Sequence, residues 1–355
     1  MEIGSEFWIE DKNEKGLKEY EIGENKNSIF FMSGRTAIDY ALEVIIKEKK
    51  IENVYFPSYC CQSMLDPFIS RNIEVYFYNV SFNEEGFVYD IDCNKKCDLF
   101  FAMNYFGYSC NNMDYYIDNF KNKNSIVIED CTHSWLSKRK YNTKSDFIVA
   151  SLRKWFPIIS GGVLINCSKE FKLDKNINIK ENDKYTNLKK KAMIEKGKYI
   201  KRTDKIEKKD FLQKFHKTEE ILDCDYKKYK IDNISYNILR NMNLEEIINK
   251  RKNNTKEIYK FLEKQKKIKY IKNIDMEDDC LLFVPIFLPQ NDRNKLKDYL
   301  IKNDVYCPNH WPIPNMIFEE KNKEIYNMEL SLICDQRYEA ENIKNYINII
   351  NNIIY

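Results

Sequence analysis

The chain has 355 residues, of which 43% are hydrophobic and 32% charged, with a net charge of +3. This composition is globular, and the length favours two domains or one large domain with a smaller one. The near-zero net charge excludes a general basic field for nucleic acid, and no apolar run reaches the roughly 20 residues needed to cross a bilayer. Eleven cysteines without a CxxC pair, behind an N-terminus with no apolar signal core, favour reduced thiols, no metal site and a cytoplasmic protein.

The first predicted helix begins after a polar arm at residues 1–28. Ser33 is a suitable N-cap, and apolar residues then repeat at helical spacing. The first amides of a helix lack intrahelical partners and lie at the positive end of its dipole. A phosphate could therefore bind at Gly34, Arg35 and Thr36, although a capped helix is also a common structural device.

Strands and helices then alternate as far as residue 167. Strand-like, nearly continuously apolar runs occur just before a turn at Pro57, at 73–78, in DLFFAMNYFGY at 98–108, in SIVIEDCTHS at 125–134, which Asp130 closes, and at 147–150; helical segments separate several of them. This pattern predicts a mostly parallel sheet covered by helices on both faces. Ligands collect at the carboxyl ends of such strands. The residues that this places near one rim are Ser33, Tyr59, Tyr105, Asp130, His133 and Lys154.

The remainder of the chain has a different texture. Residues 168–217 carry 17 Lys/Arg against 8 Asp/Glu, which indicates either a solvated helical face or a basic mouth for an anionic substrate. Further helices are predicted near 244–262 and 291–303, with a strand at 280–288. The predicted organisation is α/β: an arm at 1–28, a large domain at 29–230 that includes a Lys-rich helical stretch at 168–230, and a smaller C-terminal α+β domain at 231–355.

Lys154 lies just after a strand, among apolar neighbours. Desolvation lowers the pKa of a lysine and frees its amine for Schiff-base chemistry, although a surface lysine is the simpler interpretation. Asp130 ends a strand and could bind a pyridinium nitrogen, or could cap a turn. Ser151, three residues before Lys154, could donate to a phosphate. Their order, a helix start followed by Asp130, Ser151 and Lys154, is the one that a pyridoxal phosphate enzyme needs.

The chain resembles the fold-type I pyridoxal-phosphate aminotransferase superfamily, and within it most closely the DegT/DnrJ/EryC1/StrS group, many of whose members aminate nucleotide-linked keto sugars. SGRTAI at 33–38 is similar to the group's Ser-Gly-Thr-type helix start, and FPSYCC at 56–61 to its Pro-Ser-Tyr-type element. Glu129, Asp130 and His133 match a strand ending in Glu-Asp with a His or Gln three residues later. Gly161 and Gly162 follow Lys154 by seven and eight residues, like the group's Gly-Gly pair.

The resemblance implies a role for each matched residue. Lys154 would form the Schiff base with the cofactor, Asp130 would bind the pyridine nitrogen, and His133 would contact the phenolic oxygen or the ring face. Ser151 and the amides of residues 34–36 would hold the phosphate. Tyr59 or His133 would stack on the ring, because Cys61 stands where group members often have an aromatic residue.

The chain also departs from the group. Val149 stands where the group often has its phosphate-holding serine, and the Ser-x-x-Lys spacing is like that of other fold-type I aminotransferases. No Arg- and Gly-containing segment follows Gly162. His310 and Trp311 resemble the group's substrate loop, and Tyr105 is a further substrate-site candidate. Arg337 is a candidate fork for a substrate carboxylate or a member of a surface ion pair, and Trp311 could equally be a packed tryptophan.

The implied activity is a transamination from an amino acid donor, glutamate by resemblance, to a keto or aldehyde acceptor such as a nucleotide-linked sugar of surface-polysaccharide synthesis. The implied assembly is a homodimer with a shared active site. Three alternatives stay open: a lyase, decarboxylase or dehydratase that uses the same cofactor, a non-catalytic relative of this fold that binds a ligand, and a dinucleotide-binding oxidoreductase. No GxGxxG follows a strand to support the last of these.

Overall fold

The computed structural model describes residues 2–9, 27–110, 113–139, 141–174 and 179–354. Most of the predicted arm, residues 10–26, lies outside the described residues. The helices are α1 (Gly34–Glu48), α2 (Gln62–Ile69), α3 (Asp114–Asn122), α4 (Asp183–Lys201), α5 (Lys208–Cys224), α6 (Asn233–Arg240), α7 (Leu244–Leu262), α8 (Gln290–Lys302), α9 (Glu324–Met328) and α10 (Ala340–Ile354). The strands are β1 (Ile3–Gly4), β2 (Ser28–Phe31), β3 (Asn53–Pro57), β4 (Glu74–Asn83), β5 (Gly86–Asp90), β6 (Leu99–Met103), β7 (Ile126–Asp130), β8 (Phe147–Ser151), β9 (Gly162–Asn166), β10 (Lys269–Tyr270), β11 (Val284–Phe287), β12 (Val305–Tyr306) and β13 (Glu329–Leu332).

The chain divides into two compact units. Unit 1 contains residues 1–5, 51–145 and 245–355, and unit 2 contains residues 6–50 and 146–244. Both units combine segments that are distant in sequence. The predicted boundaries at 28/29 and 230/231 follow chain order instead, and they stay a prediction.

Unit 1 contains the parallel sheet. Its strands run in the order β7-β6-β3-β4-β5, and each of the first three pairings is parallel, whereas the hairpin strand β5 is antiparallel to β4. Every residue of β6 and β7 is buried, as expected of strands with both faces covered. The predicted α/β class with a mostly parallel sheet is therefore confirmed. The later part of the unit has an antiparallel sheet, β10-β11-β13, together with α7, α8 and α10, which is the expected α+β texture.

Unit 2 contains three antiparallel strands in the order β2-β9-β8 and the helices α1, α4, α5 and α6. The Lys-rich stretch folds into α4 and α5, which pack through a cluster of apolar side chains that includes Met193, Phe211 and Phe215. Of the apolar side chains along α5, Phe211, Phe215 and Leu222 are buried, whereas Leu212 is 42% exposed. Lys189 is buried against Glu6, at 3.1 Å, and Glu219, so the stretch is not uniformly a solvated face.

Within the described ranges, no helix is both long enough and apolar enough to cross a membrane.

Candidate active site

The start of α1 in unit 2 packs against the end of β8. Ser33 caps the helix, and its hydroxyl oxygen accepts a hydrogen bond from the Thr36 amide at 3.1 Å. A Cβ atom added to Gly34 would lie 3.0 Å from the Ser151 Cβ, so the first turn of α1 lies directly against Ser151. Helix amides and a hydroxyl are thereby brought together, and both are phosphate donors.

Gly162 is what allows this close approach. It pairs with Ser151 across β8 and β9. A Cβ atom at Gly162 would lie 2.1 Å from the Ser33 carbonyl oxygen and 2.7 Å from the Gly34 amide nitrogen, distances that no side chain can accept. The second glycine of the Gly-Gly pair therefore admits the helix start against the strand.

A single 3-10 turn, Leu152–Lys154, carries the chain from Ser151 to Lys154. A 3-10 helix has three residues per turn, so side chains three positions apart lie on the same side. Leu152 and Trp155 are buried and anchor the turn, whereas Lys154 is exposed. The turn thus presents the Lys154 amine on the side of Ser151.

The side chains of Arg35 and Thr36 bind elsewhere in unit 2. The Arg35 guanidinium donates to the Asp223 carboxylate at 2.9 Å and to the Leu222 carbonyl at 3.1 Å. The Thr36 hydroxyl donates to the Tyr226 carbonyl at 2.8 Å. Only the backbone amides of these two predicted residues are therefore suited to a phosphate, while their side chains bind the C-terminal end of α5 and the segment after it.

Asp130 and His133 lie in unit 1, at and after the end of β7. Asp130 is buried, and its Oδ1 accepts from the Thr132 amide at 2.7 Å. Nδ1 of His133 accepts from the Phe106 amide at 3.2 Å, so in the neutral ring the proton is on Nε2. His133 is therefore held as a donor through Nε2.

Glu129, which precedes Asp130, anchors this strand end. Its carboxylate accepts from the Asn104 side chain at 2.9 Å, the Asn142 amide at 2.8 Å and the Ser145 hydroxyl at 3.1 Å. Burial nevertheless raises the pKa of Glu129 to about 7. These contacts tie the segment before β8 to the end of β7.

Tyr59 and Tyr105 belong to an aromatic cluster in unit 1. The Tyr105 hydroxyl donates to the Tyr59 carbonyl at 2.5 Å. The Tyr59 ring is fully buried, with ring centroids 5.3 Å from Tyr105, 5.1 Å from Trp311 and 4.9 Å from Tyr326. The His133 ring is likewise buried among other rings, at 4.9 Å from Phe106 and 5.5 Å from Trp311, so these contacts do not decide which of the two residues would stack on a cofactor.

His310 is joined to a buried carboxylate that the sequence did not indicate. Its amide donates to Glu329 Oε2 at 2.7 Å, and its Nδ1 lies 3.0 Å from the Ser331 hydroxyl, which in turn donates to Glu329 Oε1 at 2.5 Å. The His310 ring centroid is 5.6 Å from that of His133 and 5.2 Å from that of Trp311. His133, His310 and Trp311 are thus brought together, although up to 178 positions separate them in the sequence.

The Arg337 guanidinium has a partner within the fold. It donates to both Asp335 carboxylate oxygens, at 2.9 and 2.7 Å, and to the backbone carbonyls of Gly4 and Ser5. The predicted carboxylate fork is present, but the carboxylate is the chain's own. A different buried arginine, Arg293 on α8, has no such partner. In sequence, Arg293 and Lys297 form an Arg-x-x-x-Lys pattern, which usually indicates a solvated helical face. Only the burial of Arg293 in the structure therefore identifies it as a candidate site residue.

A cavity of about 470 Å³ lies elsewhere in unit 1. Its lining comes from β4, from β10 and from some of residues 321–328. None of the predicted site residues lines it.

No protein-family model matches the chain, and no curated protein matches its sequence. Solved structures do match. NtdA from Bacillus subtilis with bound PMP is 13% identical, with a TM-score of 0.61 over 92% of this chain and 73% of its own. The sugar aminotransferase described for Spr1654 from Streptococcus pneumoniae, in its PLP form, is 12% identical, with a TM-score of 0.61 over 93% and 88%.

The chain has the fold of these proteins. A NifS-like protein from Rickettsia africae also shares it, at 13% identity and a TM-score of 0.52 over 92% of this chain and 81% of its own. The predicted aspartate-aminotransferase-like fold class is therefore confirmed. At this identity the likeness establishes the fold, and the site residues must carry any argument about chemistry.

Proposed function

We propose that the chain is a pyridoxal-phosphate-dependent aminotransferase that moves an amino group from an amino acid donor, glutamate, to a keto or aldehyde acceptor. The observation that carries the proposal is the cradle in unit 2. The α1 N-terminus packs on Ser151, and one 3-10 turn separates Ser151 from Lys154. A phosphate site and a lysine amine are the two groups by which such a cofactor is held.

The residues fit the cofactor in chemical type. Gly34 has no side chain to fill the cradle, and the amides of residues 34–36 with the Ser151 hydroxyl are suitable phosphate donors. Asp130 offers a buried carboxylate for the ring nitrogen, and His133 offers an Nε2 proton for the phenolic oxygen. When bound, the cofactor supplies an electron-poor ring that stabilises negative charge on the substrate carbon.

The chain's own residues would then act in sequence. Asp130 would keep the ring nitrogen protonated, because a buried carboxylate favours a cation beside it. The Lys154 amine would bind the cofactor aldehyde in the resting enzyme. Once the donor has displaced it, Lys154 Nζ would take the proton from the substrate carbon and return it to the cofactor carbon. In the second half-reaction Lys154 would move the proton in the opposite direction.

We extend the proposal to the acceptor, the assembly and the location. Structural neighbours described as sugar aminotransferases support a keto sugar as the acceptor, and a nucleotide-linked one fits the sequence resemblance. The same resemblance supports a homodimer with a shared active site, and the reduced thiols expected from the cysteine pattern support a location in the cytoplasm. Lyase, decarboxylase and dehydratase reactions with the same cofactor, which the sequence leaves open, are the outcomes that an assay must separate.

The first test is covalent attachment at Lys154. Purified protein mixed with pyridoxal phosphate should show a visible absorption band that borohydride abolishes, and Lys154→Ala should lose the band. Lys169→Ala, which removes an exposed lysine beyond β9, is the matched control and should keep it. A band that survives Lys154→Ala would refute the assignment.

The second test separates transamination from the other reactions. Incubation of the loaded enzyme with glutamate should give one equivalent of 2-oxoglutarate per active site even without an acceptor, because the first half-reaction is complete in itself. Ammonia or carbon dioxide in place of 2-oxoglutarate would instead indicate a lyase, dehydratase or decarboxylase.

A further inference from the structure

Arg293 is a buried cation without a partner. The residue is 8% exposed, and its guanidinium forms no hydrogen bond or ion pair with any residue that the structure describes. Its Nε atom is buried and has no partner. A buried charge without a partner costs several kcal/mol in general, and arginine is among the residues least often buried unless paired. A site of this kind needs an explanation outside the described chain.

Glu329 is the carboxylate whose charge acts on Arg293, but each of its oxygens accepts a hydrogen bond from another group. One oxygen accepts from the Ser331 hydroxyl and the other from the His310 amide. Its charge acts on Arg293 without any ion pair closer than 4 Å being formed. Burial also raises the pKa of Glu329 to about 7, so at neutral pH it supplies only part of a negative charge.

Lys297 adds a second positive charge one turn further along α8. Its ammonium group donates to the Asn309 side chain and has no carboxylate partner among the described residues. Burial lowers the pKa of both Arg293 and Lys297, and each is an unfavourable neighbour for the other. Two like charges four residues apart on a helix are mildly repulsive even when solvated.

A third donor lies in the same neighbourhood. The indole Nε1 of Trp311 is buried and has no hydrogen-bond partner. Tyr59 lies near both this indole and Arg293, because its ring centroid is 5.1 Å from that of Trp311 and the charge of Arg293 acts on the pKa of its hydroxyl. The Tyr59 hydroxyl is itself buried and has no hydrogen-bond partner among the described residues. Buried donors are normally satisfied, so three partnerless donors in one neighbourhood indicate a missing acceptor.

A packing role for Arg293 does not explain its buried Nε without a partner. Arginine often covers apolar surface with its stem while its guanidinium stays in water. The residue is 8% exposed as a whole, and its Nε is buried and has no hydrogen-bond partner among the described residues, which water at the tip of the guanidinium does not remedy. A purely structural residue in this place would be better replaced by a neutral side chain of the same size.

We propose that Arg293, assisted by Lys297 and the Trp311 Nε1 proton, binds an oxyanion of a substrate. A guanidinium matches the planar, two-oxygen geometry of a carboxylate and also binds phosphate. The anion is either the carboxylate of the amino donor or a phosphate of the acceptor. This assignment of the source rests on the proposed function, whereas the oxyanion site itself does not.

The test uses unreactive anions on the full-length protein, so that binding is measured without turnover. Maleate is the carboxylate probe and inorganic pyrophosphate the phosphate probe, each titrated by isothermal calorimetry. Wild-type protein should bind at least one of them saturably, at one per chain. Arg293→Met should weaken that binding by about 10- to 100-fold, the range expected for a lost hydrogen bond to a charged group.

Two variants complete the design. Lys295→Gln removes a positive charge from an exposed position on the same helix, and it should bind the anion as wild type does. Arg293→Lys keeps the charge but loses the fork, so it should bind several-fold more weakly than wild type, and it serves in place of the methionine variant if that variant does not fold. A preference for maleate assigns the donor carboxylate, and a preference for pyrophosphate assigns an acceptor phosphate.

The proposal is overturned if neither anion binds wild-type protein, or if Lys295→Gln weakens binding as much as the Arg293 variants do. Its failure is distinct from a failure of the proposed function. Loss of the Lys154-dependent absorption band would refute the cofactor but not an anion site at Arg293. Intact half-transamination by wild-type protein that binds neither maleate nor pyrophosphate would refute the anion site alone.

Discussion

Two arginines in unit 1 are almost equally buried and have opposite surroundings. The Arg337 side chain is 10% exposed, and its guanidinium is matched by both oxygens of Asp335 and by two backbone carbonyls. Arg293 is 8% exposed and has no hydrogen-bonded partner among the described residues. Burial alone therefore does not distinguish a structural arginine from a ligand-binding one. The presence or absence of an internal acceptor does.

The surroundings of the two sites explain the contrast. Burial alone would raise the pKa of Asp335, but the charge and hydrogen bonds of Arg337 outweigh it, so the net pKa is lowered. The carboxylate is therefore charged, and the ion pair is complete. Around Arg293 the corresponding carboxylate, Glu329, is committed to Ser331 and His310. One region thus satisfies its own charges, and the other is complete only when an external anion is present.

The largest expected effect is that of Arg337→Gln. Removing one member of a buried ion pair leaves the other charge uncompensated, so we expect the free energy of unfolding to fall by about 3–5 kcal/mol. Urea unfolding at pH 7 measures this. Anion binding by the folded variant should remain as in wild type, and a stability change within about 0.5 kcal/mol would break the comparison, because Arg337 would then not be structural.

The second-largest effect is expected for Glu329→Gln, as a change in how the free energy of unfolding depends on pH. The pKa of Glu329 rises from 4.5 to about 7 on folding, chiefly through burial and despite the opposing charges of Arg293 and Lys297. The folded state binds this proton more tightly, so the stabilisation is complete below pH 4.5 and is lost as the pH rises through 7. Between pH 5 and 8 this single group should lower the free energy of unfolding by up to about 3 kcal/mol.

The Glu329→Gln variant should lack that part of the decline. Glu129 shifts in the same direction and stays in the variant, so a residual slope is expected. Urea unfolding at pH 5, 6.5 and 8 gives the comparison, with the exposed Glu341→Gln as control. Parallel pH profiles for wild type and Glu329→Gln would show that the buried carboxylate is not held in a raised-pKa state.

The unit 2 cradle could be predicted from the sequence because its signals are local. The Ser33 cap, the start of α1, and Ser151 with Lys154 are short motifs whose meaning depends on helix and strand geometry alone. Their contact could not be derived from spacing, since it depends on Gly162 admitting the helix start. The function of that glycine is visible only in three dimensions.

The polar cluster around Glu329 could not be predicted in the same way. Glu329, His310 and Arg293 come from β13, a loop and α8, and no spacing in the sequence connects them. Arg337 has two possible interpretations in the sequence for a related reason. An arginine in SLICDQRY is consistent with a substrate site or with an ion pair, and only the structure shows that its acceptor is Asp335, two residues away. The α/β class could be predicted because nearly continuous apolar strands are typical of parallel sheets that are covered on both faces.

Arg293→Met should have a smaller effect, of opposite sign to that of Arg337→Gln. Methionine is similar in length to the arginine stem and carries no charge to desolvate. Replacing buried charges with apolar groups is often neutral or stabilising. We expect the free energy of unfolding to stay unchanged or to rise by about 1 kcal/mol in urea at pH 7. A loss above about 2 kcal/mol would place Arg293 with Arg337 as a structural residue.

The smallest effect expected is a change of tautomer at His310, without a change in stability. At pH 8 the charged Glu329 accepts from the Ser331 hydroxyl, so Ser331 can only accept from His310, and the ring proton should be on Nδ1. In Glu329→Gln the amide oxygen must face the His310 backbone N–H, because that donor cannot rotate. The amide NH₂ then faces Ser331, whose hydroxyl turns to donate to Nδ1, and the ring proton should move to Nε2.

Long-range ¹⁵N NMR resolves the two forms, and because the chain has three histidines, His133→Gln and His216→Gln identify the signals. Persistence of the Nδ1 proton in Glu329→Gln would mean that the Ser331 link does not set the tautomer, and the region around Arg293 would then be less tightly organised than the Arg337 pair.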